Sequence, residues 1–175
     1  MTPRDVPRIV SYVVDSSPAD RERLGMTNVP ARETLTESLL EACAAPEASA
    51  RSFYLIWEID GLPVGFASLK AIVPGEHGGM HLHMWDAELR GRGFGAALFC
   101  RSALDFHDRF RLKSIVCEPR AANPAPNRML RRIGFPLVET YVGASSELSA
   151  VCELNRYEIV RAVAEAYLES ANASS

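Results

Sequence analysis

The stretch ELRGRGFGAAL, Glu88–Leu98, decides how the rest of the chain is read. Gly91, Gly93 and Gly95 alternate, arginines stand at 90 and 92, and Phe94 and Ala96 complete the run. Without a Cβ, such residues let backbone N–H groups come close to a neighbour. Where the run opens a helix, those amides and the helix dipole favour an anion. Downstream the apolar period is helical: Ala96, Phe99, Cys100, Ala103, Phe106 and Phe110 share a face, which predicts a helix over 94–109. Upstream, MHLHMW (80–85) predicts a strand.

Several readings of this strand–glycine–helix unit compete. A tight turn between strand and helix needs no ligand. A dinucleotide loop would use Gly91, Gly93 and Ala96 as G-x-G-x-x-A, with Glu118 ending a strand about twenty residues later. Against it, 86–89 separate the glycines from their strand, and too few βα units follow. A metal-binding cupin would take His81, His83 and Glu88 as ligands framed by Gly75 and Gly95, a sound donor set for a divalent ion. Against it, the second cupin motif is absent downstream, and a long helix starts where an all-β fold has none.

The surrounding chain predicts a strand in RIVSYVVD, helices in SSPADRERLGM and ARETLTESLLEACAA, and a hairpin turning after Asp60. KSIVCE reads as a short buried strand, PAPNRMLRRI as a helix closed by Gly134, and FPLVETYV as a strand. AVCELNRYEIVRAVAEAYLE reads as a strand followed by a helix. A hairpin-rich front and an α/β back imply one α+β domain over 1–175, with 171–175 frayed.

The 175 residues carry a net charge of −3 and are 47% hydrophobic, ordinary for a globular domain and unsuited to nucleic acid as a main partner. Cys43, Cys100, Cys117 and Cys152 lie far apart, so neither a zinc site nor a disulfide framework is expected, and reduced thiols in a cytoplasm are. No stretch reads as a signal peptide or a membrane span.

Arg90, Gly93 and Gly95 spell R-x-x-G-x-G, which resembles the acyl-CoA pyrophosphate loop of the GNAT superfamily of N-acyltransferases. SIVCEPRAANPAPNRMLRRIGF is similar to that family's next strand, asparagine, helix and closing Gly-Phe, with Asn123 and Gly134-Phe135 at the family's spacing. The resemblance covers roughly residues 50 to 160. It implies the GNAT fold: a mostly antiparallel twisted sheet of six to seven strands, splayed in the middle and flanked by helices. It also implies acetyl-CoA as co-substrate. The pyrophosphate would lie on Arg90, Gly91, Arg92, Gly93, Phe94, Gly95 and Ala96. The pantetheine arm would lie along Met84, Trp85 and Asp86, with Asn123 touching the coenzyme.

The activity so implied is acetyl transfer to a primary amine by direct attack, with a general base to take the proton. His81, His83 and Trp85 share one strand face. His81 matches the histidine of siderophore lysine acyltransferases and the second of the His-x-His pair in serotonin N-acetyltransferases, so it is the first candidate and His83 the second. Glu118 matches the base position of ribosomal-protein N-terminal acetyltransferases and is the third. Each of the three could instead be structural. The family's usual tyrosine acid is Leu130 here, and Tyr141 is a possible substitute. The acceptor expected is a small-molecule amine. A protein N-terminus or an aminoglycoside is the alternative, and a non-catalytic acyl-CoA-binding module a rival of another class. A homodimer is compatible with the chain.

Overall fold

The computed structural model describes residues 1–85, 87–146 and 148–173. Among these, six α-helices surround one six-stranded sheet. The helices are α1 (Val6–Val14), α2 (Pro18–Leu24), α3 (Arg32–Ala44), α4 (Phe94–Phe110), α5 (Pro124–Ile133) and α6 (Arg161–Ala173). The strands are β1 (Ser52–Ile59), β2 (Leu62–Val73), β3 (His77–Met84), β4 (Ser114–Cys117), β5 (Leu137–Gly143) and β6 (Cys152–Glu158). Sheet order is β1-β2-β3-β4-β6-β5, with every neighbouring pair antiparallel except β3–β4.

One element differs in kind from its sequence expectation. RIVSYVVD is β-branched and reads as a strand, yet it lies in α1. The deciding feature is period. Val6, Ile9, Val10 and Val13 recur at helical spacing and are all buried, and Pro7 sits in the first turn, where its missing N–H costs nothing. The sheet therefore has six strands, not seven.

Two apolar layers flank the sheet. The larger lies under α4, α5 and α6, where Phe99, Phe106, Ile115, Leu130 and Tyr157 are fully buried. The smaller lies under α1 and α3 and joins Val6, Ile9, Val10 and Leu39 to Tyr54 and Phe66 of the sheet. Because strand side chains alternate, His81 and His83 fall on this second face, while Met80, Leu82 and Met84 fall on the α4 face. The layer under α1 thus becomes one wall of the site.

The metal reading fails on architecture: a mixed sheet wrapped by helices is not an all-β cupin. No group of three or more metal-type ligands occurs among the described residues. All four cysteines are free thiols. No helix among the described residues is long and apolar enough to cross a membrane.

Candidate functional site

β3 and β4 begin side by side and then part. They pair only from His77↔Ser114 to Gly79↔Val116, after which β4 has one more residue and β3 runs on for five. A cleft of about 1110 Å³ opens in this split. Met80–Met84 line one side of it, and Cys117–Arg120 line the other. The N–H of Trp85 bonds to Val64 O on the β2 side. Alternation therefore turns the N–H and C=O groups of Leu82 and Met84 toward the split. An extended chain lying there would find a strand edge to pair with.

The glycine run forms the head of the cleft. Gly91 and Gly93 have φ of +79° and +90°, which strains any residue with a Cβ, and a Cβ at either position would meet nothing within 4 Å. Gly93 is the N-cap of α4, with no side-chain cap. The Ala96 N–H already donates to Gly93 O at 3.3 Å, whereas the amides before it precede any intrahelical acceptor and, with the dipole, make this end positive. Gly91, Gly93, Gly95 and Ala96 all line the cleft. Arg90 ties the loop to the strand: its Nε and Nη2 donate to Met84 O at 3.3 and 2.9 Å, and its Nη1 lies 4.0 Å from Asp20.

His81, His83 and Glu118 line the same cleft. His81 is pushed down to about 4 by burial, with Lys70 adding to the shift and Glu118 opposing it. His83 is pushed down to about 3 by burial, then by His81, Arg23 and Lys70. Both imidazoles are therefore neutral near pH 7. His83 stacks on Phe66 with ring centroids 4.7 Å apart, and its buried Nδ1 has no partner. Glu118 pairs with Arg156 Nε at 2.5 Å and also interacts with the Tyr141 hydroxyl. The nearby Arg120 instead donates to Glu22 O.

Other predicted residues are placed less directly. Asn123 lines the cleft, and its Nδ2 donates to Arg23 O at 3.3 Å. Arg92 and Phe94 are exposed beside the glycines and are not part of the lining. The Trp85 side chain turns out of the cleft, packs toward Phe66 and lies under the Arg8 guanidinium at 4.6 Å. Asp86 lies outside the described residues. Leu130 is wholly buried, so no acid occupies that position. Tyr141 is raised by burial and by Glu118, and it does not line the cleft.

Three features had no sequence signal. Lys70 is brought beside His81 by strand register alone, since Ser68 pairs with His81 and Lys70 with Gly79. Tyr12 turns its ring edge to His83 at 5.5 Å from α1, the helix read as a strand. Asn127 is the third: its Nδ2 donates to Arg120 O and Asn123 O at 2.8 and 2.7 Å. Its Oδ1 accepts from Asn155 Nδ2 and the Tyr157 hydroxyl at 2.7 and 3.1 Å, which fixes the 118–124 loop.

The acetyltransferase (GNAT) family model matches residues 21–135. No curated protein sequence matches the chain. Among solved structures, the aminoglycoside acetyltransferase AAC(6')-Ib with coenzyme A superposes with a TM-score of 0.73 at 16% identity, covering 95% of each chain. RimL, a ribosomal-protein alpha-N-acetyltransferase with coenzyme A, gives 0.71 at 16% identity, covering 93% of this chain and 92% of that one. A variant of the spermidine N-acetyltransferase SpeG from Vibrio cholerae gives 0.70 at 16% identity, covering 98% and 96%.

Proposed function

Since the chain belongs to the GNAT family of acetyltransferases, we propose that it moves an acetyl group from acetyl-CoA to the primary amine of a small molecule, by direct attack with His81 as general base. The observation that carries this is continuity. One cleft begins at the opening turn of α4, follows the unpaired edge of β3, and ends at His81 and Glu118.

The residues fit the coenzyme. The opening amides of α4 at Gly93–Gly95 suit its pyrophosphate, and the backbone of Leu82 with the N–H of Met84 suits its amide-bearing arm. When bound, it supplies a thioester carbonyl. Arg90 holds the loop in register by clamping Met84 O, and Asn123 ties the far wall to α2.

The electrostatics support direct attack. The surroundings that hold two imidazoles neutral also disfavour an ammonium, so a bound acceptor is driven toward the free amine that attacks. As the nitrogen bonds the acetyl carbon, the C–S bond breaks with its electron pair leaving on the coenzyme thiolate, and the nitrogen's proton becomes strongly acidic. A weak base such as His81 can then take it, and Glu118 opposite steadies the imidazolium that forms. An acyl-enzyme on Cys117 is disfavoured, because burial and Glu118 push that thiol up to about 12.

The test is thiol release from acetyl-CoA across a panel of primary amines, with coenzyme affinity measured separately. His81→Ala should lower kcat by about a hundredfold or more and leave the coenzyme Kd within about twofold. In the parent enzyme kcat/KM should climb with pH toward the amine's own ionisation, with no step near 6.5. Coenzyme binding without release from any amine would sink the proposal.

A further inference from the structure

Resting on the acetyltransferase reading, we infer that the acceptor is an amino acid with an aliphatic or aromatic side chain, its carboxylate read by Lys70, and not a polycation.

The first observation is an unmatched cation on the cleft floor. Lys70 lines the cleft and donates to the Tyr54 hydroxyl, and among the described residues it has no carboxylate partner. Arg51, exposed in the same lining, likewise has no carboxylate partner among the described residues. Arg23 is different, because Asp20 neutralises it at 2.9 Å. Glu118 is the single carboxylate in the described lining, and Arg156 holds it. A site for several ammonium groups needs uncompensated carboxylates. This lining offers the opposite sign, and like charge excludes as effectively as opposite charge attracts.

The second observation is distance. On the face shared by β2 and β3, Lys70 is the diagonal neighbour of His81, with Cα atoms about 7–8 Å apart. An α-amino acid carries its nitrogen and its carboxylate on the same carbon. With the nitrogen beside His81, the carboxylate falls within reach of the lysine's flexible stem.

The third observation is the remaining volume. Beyond the histidines the cleft is walled by Tyr12, Val13, Leu35, Leu39, Tyr54 and Phe66. Tyr12, Tyr54 and Phe66 pack edge-to-face or tilted at 6.1–6.2 Å. An apolar side chain would be desolvated there, whereas a hydroxyl-rich or cationic body would lose its water without replacement.

The experiment compares kcat/KM for thiol release with leucine and phenylalanine, their carboxamides, and two polycations, spermidine and paromomycin. The acids should exceed the amides by about tenfold or more, the scale of one charge-assisted contact, and should exceed both polycations. Lys70→Met, with folding checked by thermal melting, should shrink the acid-over-amide ratio to below about threefold. Lys70→Arg should restore part of it. Preference for a polycation, or an acid-over-amide ratio unmoved by Lys70→Met, overturns the inference and leaves the acetyltransferase reading standing. Coenzyme binding with no release from any of the six amines overturns the inference, and the acetyltransferase reading is then decided by the wider amine panel.

Discussion

Replacing His83 with phenylalanine probes the electrostatic condition on which the proposed chemistry rests. The ring lies on Phe66 at 4.7 Å and edge-on to Tyr12 at 5.5 Å, and its buried Nδ1 is unpartnered. In the native state its pKa is pushed down to about 3, chiefly by burial. In the unfolded chain a histidine titrates near 6.5. Between those values the unfolded chain binds a proton that the native site rejects, so native stability declines as the medium is acidified. The loss is negligible above about pH 7, grows by about 1.4 kcal/mol per pH unit below 6.5, and reaches about 2 kcal/mol at pH 5.

His81 contributes a similar loss down to about pH 4. Asp15 and Asp20 add to acid lability for a different reason: Arg32 and Arg23 hold their carboxyls below the usual range, and those pairs break on protonation. The parent's raw pH dependence is therefore composite, and only a difference isolates one ring. Phenylalanine keeps the stack and cannot titrate. Urea unfolding of both proteins at about pH 7.5 and about pH 5 should show the gap shifting by about 2 kcal/mol toward the variant. At the higher pH the two should differ by about 1 kcal/mol or less, because removing an unpaired nitrogen offsets the larger ring. A gap that does not change with pH would mean that His83 titrates normally in the native state, and the account of a charge-rejecting cleft would fail with it.

Two further outcomes follow from the walls of the cleft. Asn127→Leu leaves two carbonyls, Asn155 and Tyr157 without their shared partner, and should cost about 3–5 kcal/mol in denaturant unfolding; a loss under about 1 kcal/mol would show that the network does not hold the 118–124 loop. Gly93→Ala adds a Cβ in open space at φ +90°, so strain of about 1–2 kcal/mol is its only steric cost. Calorimetry should find acetyl-CoA affinity reduced about tenfold or more as the opening amides rotate, and parental affinity would refute the anion cradle.

From residue 32 onward the elements were legible because period and punctuation agree. The α4 stripe from Ala96 to Phe110, Gly134 closing α5 at φ +103°, and the turn at Asp60–Gly61 each combine two local signals. In α1, β-branched content and helical period conflict, and burial against the sheet decides for period. The glycine loop was legible because its requirement is local: backbone that tolerates positive φ at the start of a helix. The residues around the proposed acceptor pocket were not, since Lys70, Tyr54 and Tyr12 meet His81 and His83 only through register and helix docking. Glu118 illustrates the limit well. Its position at the end of β4 could be read, but its partner Arg156 lies on β6, and no spacing rule connects the two.

These placements converge on one physical condition. A base strong enough to deprotonate an ammonium in water would itself be protonated near pH 7, and a protonated base cannot accept. In the proposed reaction the cleft resolves this by weakening every cation within it at once, His81, His83 and the acceptor amine alike, through burial and the charge of Lys70. The same lysine then has a second consequence. A positive field that releases the amine's proton also repels acceptors carrying further ammonium groups and favours one bringing its own anion. Activation and selectivity therefore share a cause, and Lys70→Met should weaken both together. Its effect should appear as a higher pH needed for half-maximal turnover of every amine, in addition to the lost preference for acids.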